Sequence, residues 1–382
     1  MRFGSVAAPL YVTRPNAPRA VRVLASLPRT RADVARRTAK SAPTEGSPPT
    51  MSTSTGPSMA AVVCCYTMQR WDDTVAAVES LRTQQRALQR IVVVVDHNDE
   101  LLARCRERWP EGQTGVTVLA NEGRQGLSDG RNTGLRATDC DVVAFLDDDA
   151  FAEPDWSARL ADCYTDPALR DVLGAGGYIE PDWPGGTAPT WWPRSFDWVV
   201  GCSYVGLPTR RTTVRNVIGA NMSLRRDVAL EVGGFNPSMG RVGKTPLGGE
   251  ETEMYIRAAA ARPGSRVVYE PAARVRHHVT PERATLRYFV SRCYGEGLTK
   301  AALSGITRSS AALSSESAYA TKVLPVEFAR GLISGDPRRG LSVALGLGVT
   351  CVGYARGLVN GARPEGGWSE AARRPMARLQ AR

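Results

Sequence analysis

Histidine occurs only three times in this 382-residue chain, and none of its eight cysteines forms a CxxC pair. Those two shortages leave neither a zinc site of ordinary spacing nor a disulfide framework. The cysteines lie scattered at 64, 65, 105, 140, 163, 202, 293 and 351. Several sit in apolar stretches, where a free thiol packs as a small hydrophobe, so the expected compartment is reducing and cytoplasmic. No secretory apolar region is present, because Val21-Arg22-Val23-Leu24-Ala25 is too short and interrupted. No simple membrane span is predicted either. Leu341–Val359 is apolar but Gly-rich and broken by Arg356, leaving about 15 uncharged residues where roughly 20 are needed. An interfacial or bundle helix flanked by Arg338, Arg339 and Arg356 fits that stretch, with plain packing on the domain equally open. Also missing is a dinucleotide fingerprint: Gly174, Gly176 and Gly177 lack the GxGxxG spacing and no helix follows them. They mark close backbone approach within a strand.

The chain carries a formal charge of +11, which invites a nucleic-acid reading. Residues 1–50, however, hold eight Arg and one Lys against Asp33 and Glu45, a net of +7. Only +4 remains for the other 332 residues, so the body suits anionic substrates or an anionic membrane surface, and nucleic acid is not expected as a partner. Residues 1–58 are rich in Pro, Ala, Arg, Ser and Thr without periodicity and resemble a disordered basic arm. An over-extended start is expected there, with Met51 or Met59 the true first residue.

From Ala60 onward, strand and helix alternate. Ala60–Cys65, Arg90–Asp96, Gly115–Leu119 and Asp141–Leu146 are predicted strands; Asp72–Gln85, Leu101–Trp109 and Gly130–Thr138 are predicted helices. That order calls for a parallel sheet with helices on both faces. Further strands are expected at Val172–Ile179, Asn221–Arg226 and Arg266–Tyr269, and helices at Trp156–Tyr164, Glu250–Ala261 and Leu286–Ala302. The segment 180–215 holds Trp183, Trp191, Trp192 and Trp198, expected on the acceptor side or on a membrane-facing rim, with simple core packing comparably open. The expected organisation is an arm over 1–58, a catalytic domain over 59–300 and a helical, membrane-associated region over 301–382.

What is present in plenty is acid at strand ends. Asp147-Asp148-Asp149 follows the apolar run Val142–Leu146, where the crevice of an open α/β sheet lies. Three like charges there raise one another's pKa unless a cation neutralises them, and hard oxygen ligands suit Mg2+ or Mn2+. Alone, such a triplet is more often a solvated turn with Asp149 capping a helix. Asp96 ends the neighbouring strand in the same way. Between them, Gly126–Gly134 starts a helix whose N-terminus can face anionic groups, and Arg131 can pair with phosphate. Gly248-Gly249 precede Glu250-Glu251 at another helix start, where acids also complement the helix dipole. His277-His278 ends the last strand, and only one of the two can point into a site.

Taken in order, VVCCYTMQRWDD, VVVVDHND, GLSDGRNTG, AFLDDDAFAEPDW, IGANMSLRRDV with GGF, and LGGEETEM resemble a family 2 glycosyltransferase of the GT-A fold across residues 60–300. In finer pattern the chain is similar to the archaeal glucosyl-dolichyl-phosphate glucuronosyltransferases and their bacterial relatives. The resemblance implies a Rossmann-like mixed sheet with helices on both faces and a helical C-terminal extension. It implies Asp96, Arg131, Asp147, Asp148 and Tyr66 on the nucleotide-sugar donor, and Asp147 and Asp149 with His277 on Mn2+ or Mg2+. Glu251 becomes the candidate general base, with Glu250 the alternative; most relatives have Asp at that step. The implied reaction is an inverting transfer of one sugar, from a UDP-linked donor to a glycan or polyprenyl-phosphate-linked acceptor in cell-surface polysaccharide or glycoconjugate synthesis. Its implied place is the cytoplasm, peripheral on the inner face of the plasma membrane. The QxxRW pattern of processive synthases is missing, which points to single-sugar transfer.

The chemistry agrees with that constellation, since such a transfer needs one base for the acceptor hydroxyl and separate stabilisation of the leaving diphosphate. Two other readings compete. A sugar nucleotidyltransferase usually carries a Gly-rich basic loop after its first strand, whereas Tyr66–Trp71 has no glycine. A non-catalytic nucleotide-sugar-binding protein of the same fold is disfavoured by intact acids at all three places.

Overall fold

A computed structural model describes residues 56–239, 248–307 and 314–359. The basic arm lies almost wholly outside the described residues, as do parts of the 301–382 region. Among the described residues, nine strands form one mixed sheet: β1 (Met59–Cys65), β2 (Arg90–Val95), β3 (Val116–Ala120), β4 (Val142–Asp147), β5 (Ala150–Ala152), β6 (Val172–Asp182), β7 (Thr212–Val214), β8 (Asn221–Arg225) and β9 (Arg266–His278). Their order is β3-β2-β1-β4-β8-β6-β9-β5, with β7 also on β9. β1 to β4 pair in parallel, as the alternating sequence demands. β8 enters antiparallel between β4 and β6, so β4, β6 and β9 all run the same way and end at one edge.

The strands are apolar on both sides because helices cover both faces. Val63, Val93 and Cys65 face the helices α1 (Trp71–Arg82), α2 (Asp99–Arg108) and α4 (Trp156–Thr165). Val62, Val92 and Val94 face α3 (Leu127–Arg136), α5 (Arg226–Glu231) and α6 (Glu250–Ala261). The glycines of β6 are there for close approach, as expected: a Cβ on Gly177 would lie 1.8 Å from the Ala273 carbonyl oxygen of β9. All eight cysteines are free thiols.

Four points correct or add to the expectations. β9 runs nine residues past Tyr269, because Pro271 sits beside a register shift and pairing resumes at Arg274. β5 is a strand too short for a periodic signal. In the 180–215 segment, core packing, one of the placements left open, is the one observed for its buried tryptophans. Trp183 and Trp192 are buried, and Trp191 and Trp192 pack against Phe289 with centroids 5.7 and 5.3 Å away. The indole N–H of Trp192 donates to buried Asp197, 2.9 Å away, so core packing decides their placement.

The fourth concerns the C-terminal helices α7 (Leu286–Thr307), α8 (Ser314–Ala318), α9 (Leu324–Ile333) and α10 (Pro337–Val359). α10 begins at Pro337, a favoured first helical residue, and spans 23 residues; by length and composition it could cross a membrane. The length argument against a span therefore fails. α7 runs unbroken through residue 300 and packs against α10.

Candidate active site

Sheet register builds the first part of the site. β4 ends at Asp147, the chain turns, and β5 pairs antiparallel with β9, placing Ala150 opposite His277. The N–H of His278 donates to the Asp149 carbonyl at 2.8 Å. Asp149 and His277 are thereby neighbours, with Nε2 of His277 2.9 Å from Oδ1 of Asp149. Both side chains are buried, whereas Asp147 is half-buried. His278 points elsewhere, pairing with Asp73 at 3.0 Å, as strand alternation requires.

The three acids are largely compensated by the protein itself. Arg70 lies 2.8 Å from Asp148 and 3.2 Å from Asp149, Arg283 lies 3.2 Å from Asp149, and Arg131 lies 3.2 Å from Asp147. Burial pushes Asp148 up to about 7, with the Asp149 charge adding and Arg70 opposing. Burial also works against the charge on Asp149, but His277, Arg70 and Arg283 outweigh it and hold that carboxyl far below its usual range. Burial opposes charge on His277 too, yet the Asp149 carboxylate raises it well above its ordinary value.

The second part is the first turn of α6. Gly249 caps the helix with φ of +87°, a conformation L side chains rarely adopt. Glu250 is buried and pairs with Arg131 at 3.0 Å. Glu251 is half-buried, and burial together with the Glu250 charge pushes it up to about 8 against the pull of Arg131. α7 holds this turn, since Thr299 accepts the Gly248 N–H at 3.2 Å.

Arg131 joins the two parts. It is buried, contacts Asp147, Glu250 and the Gly219 carbonyl, and stacks its guanidinium 5.5 Å from the Phe235 ring. Its helix is locked to the GGF turn: Asn132 and Phe235 exchange two hydrogen bonds, 2.8 and 2.7 Å. Asp96 accepts from Asn121 at 2.6 Å and from the Gly126 N–H at 2.9 Å, which ties the end of β2 to the loop before α3. Tyr66 is exposed, with Arg70 5.6 Å from its ring centre. Two residues in these contacts carried no site role in the sequence. Arg70 stands inside the QRWDD stretch, where it could have been weighed; Arg283 sits in no motif and offered no signal.

Asp147, Asp149 and His277 fit a divalent metal. One ligand atom from each lies within 4.8 Å of the others; Oδ2 of buried Asp149 makes no hydrogen bond but lies 3.2 Å from both Arg70 and Arg283. Two carboxylates and an imidazole suit Mn2+, and Mg2+ less well for its preference for oxygen. Occupancy asks His277 to offer an unprotonated Nε2.

The family description "Glycosyl transferase family 2" matches residues 61–233. A glucosyl-dolichyl phosphate glucuronosyltransferase from Haloferax volcanii is 36% identical over 239 residues, covering 63% of this chain and 75% of that protein. The succinoglycan biosynthesis protein ExoM of Rhizobium meliloti is 29% identical over 240 residues, covering 62% and 72%. A solved mannosyltransferase from Pyrobaculum calidifontis, in complex with GDP-Man and Mn2+, aligns over 86% of both chains at 16% identity and a TM-score of 0.49, too loose a likeness to carry residue roles across. The mixed sheet, the helices on both faces and the C-terminal helical extension expected from the sequence are all present among the described residues. With the matched span taking in β1 to β8 and 36% identity reaching across most of the Haloferax protein, the chain is a glycosyltransferase and belongs to family 2.

Proposed function

We propose that this enzyme moves one sugar, with inversion, from a UDP-linked donor to a hydroxyl of a polyprenyl-phosphate-linked glycan. The observation that carries the reading is the separation of two acidic sets by one buried arginine. Asp147, Asp149 and His277 face one side of Arg131, and Glu250 and Glu251 the other.

Glu251 takes the acceptor's hydroxyl proton. The acceptor oxygen then bonds to the anomeric carbon as the bond from that carbon to the diphosphate oxygen breaks, and the nucleoside diphosphate leaves. A general base works best with a pKa near the operating pH, and burial beside Glu250 pushes Glu251 to about 8. Glu250 is held by Arg131, which favours Glu251 for this role. Asp147, Asp149 and His277 would hold Mn2+ or Mg2+, which when bound offsets charge on the departing diphosphate. Asp96, Asp148 and Tyr66 form the donor side, Asp96 by fixing the loop from Asn121 to Gly126. Arg131 serves the donor through Asp147. The name of the Haloferax relative, a glucosyl-dolichyl phosphate glucuronosyltransferase, supports a lipid-linked acceptor, and such an acceptor suits an enzyme working in the cytoplasm, peripheral on the inner membrane face.

The test is a transfer assay with UDP and GDP sugars, Mn2+ or Mg2+, and glucosyl polyprenyl phosphate. An NMR spectrum showing a product of inverted anomeric configuration is expected. Retained configuration, or donor turnover equal with and without acceptor, would sink the proposal.

A further inference from the structure

Helix α10 is inside out for a helix of a water-soluble domain. Its exposed positions run Leu341, Leu345, Val352 and Val359, with Ala344, Gly348, Cys351 and Ala355 between them on the same strip. Its buried positions include Gly346, Gly353 and Gly357. An ordinary surface helix buries its apolar stripe and exposes charge. Here the small residues face inward because α7 packs backbone to backbone: a Cβ on Gly353 would lie 2.2 Å from the Tyr294 carbonyl oxygen, and one on Gly297 2.2 Å from that of Thr350. Small residues at such contacts are how helices pack when lipid surrounds them.

The apolar strip continues. Among the described residues, eight of the eleven exposed large hydrophobics belong to α9 and α10. Between α7 and α10 lies an apolar groove of about 560 Å³, lined by Val290, Tyr294, Leu345, Val349 and Val352 among others. Monomeric proteins rarely leave so continuous an apolar face to water.

Charge chooses the occupant. Pro337–Val359 contains no acid, while Arg338 and Arg339 stand at one end and Arg356 near the other. A second copy laid on this face, parallel or antiparallel, would bring arginine onto arginine, which opposes that pairing. Anionic headgroups meet all three. We propose that the Leu341–Val359 face of α10 is the surface by which the enzyme docks on an anionic bilayer, lying in the headgroup layer with its groove toward the acyl chains. The inference extends the peripheral placement proposed above and does not need the transfer reaction to be correct. It also sets the acceptor's bilayer beside α7, the helix that holds the first turn of α6.

Flotation of the full chain with vesicles tests it. Wild type is expected to float with phosphatidylcholine–phosphatidylglycerol vesicles and far less with phosphatidylcholine alone. Leu345→Glu with Val352→Glu, both at exposed positions, should cut binding at least about tenfold with an unchanged melting temperature, since the apolar face supplies the insertion energy. A double variant that floats like wild type would overturn this face while leaving a peripheral enzyme intact. A wild type that ignores both vesicles and forms a dimer dissolved by the double variant would assign the face to a second copy instead.

Discussion

Arg131 and Glu250 form a buried ion pair, 3.0 Å long, between a helix that follows β3 and the first turn of α6. Arg131 donates to Oε1, and Oε2 of Glu250 has no hydrogen-bond partner, so the carboxylate depends on this one guanidinium. Arg131→Ala is expected to cost about 3–5 kcal/mol, the usual loss when one member of a buried pair is removed. Arg131→Met combined with Glu250→Gln should lose clearly less. Denaturant unfolding of the three proteins checks this, and equal losses would show that the pair is not coupled.

Glu251→Gln should keep nucleotide binding while lowering kcat by about 10²-fold or more. Unimpaired kcat would move the base to Glu250 or elsewhere.

The same residue sets a pH dependence. In wild type kcat/KM should climb with pH and level off above about 8, as Glu251 loses its proton. Its folded value lies above the ordinary 4.5, so its stabilising contribution is whole below 4.5 and is lost as pH rises through about 8. Glu251→Gln should therefore raise Tm, with the gain growing across that window and greatest above it. A gain constant from pH 4 to pH 9 would contradict the shift.

Asp149→Ala should lower the Mn2+-dependent affinity for a nucleoside diphosphate by at least about tenfold, because it removes a carboxylate of the Asp–Asp–His set. Calorimetry with and without Mn2+ measures it. Unchanged affinity would take Asp149 out of the metal set.

Trp192→Ala should destabilise the protein by about 3–5 kcal/mol, as expected for a large aromatic removed from a core. Loss of kcat without loss of stability would instead return this tryptophan to the acceptor side.

The strands β1 to β4 and the acids at their ends were legible because buried parallel strands are continuous apolar runs that stop where the crevice begins. Asp147 and Asp149 fall at such a stop. The second half of β9 was not legible, since Pro271 broke the pattern and Val275-Arg276-His277 pairs with a three-residue strand. The tryptophan segment was ambiguous for a different reason. Indoles suit sugar stacking and core packing alike, and only the approach of Phe289, about a hundred residues later, decides between them. Nothing in the sequence pairs Arg70 or Arg283 with the acid triplet, which by itself invites a metal ion; the fold brings these arginines in from a distance, and they answer much of that charge.

The two acidic sets are mounted on different parts of the fold. Asp147, Asp149 and His277 hang from the register of a sheet, where one backbone hydrogen bond closes a gap of more than a hundred residues. Glu250 and Glu251 ride on a helix end seated against α7, outside the sheet. The segment between β6 and β8 touches the first set, since Sγ of Cys202 lies 3.7 Å from Nδ1 of His277, whereas α7 holds the second through Thr299. A substitution along α7 that shifts Glu250 therefore reaches Asp147 through one side chain, Arg131, so the two mounts are geared together and not independent.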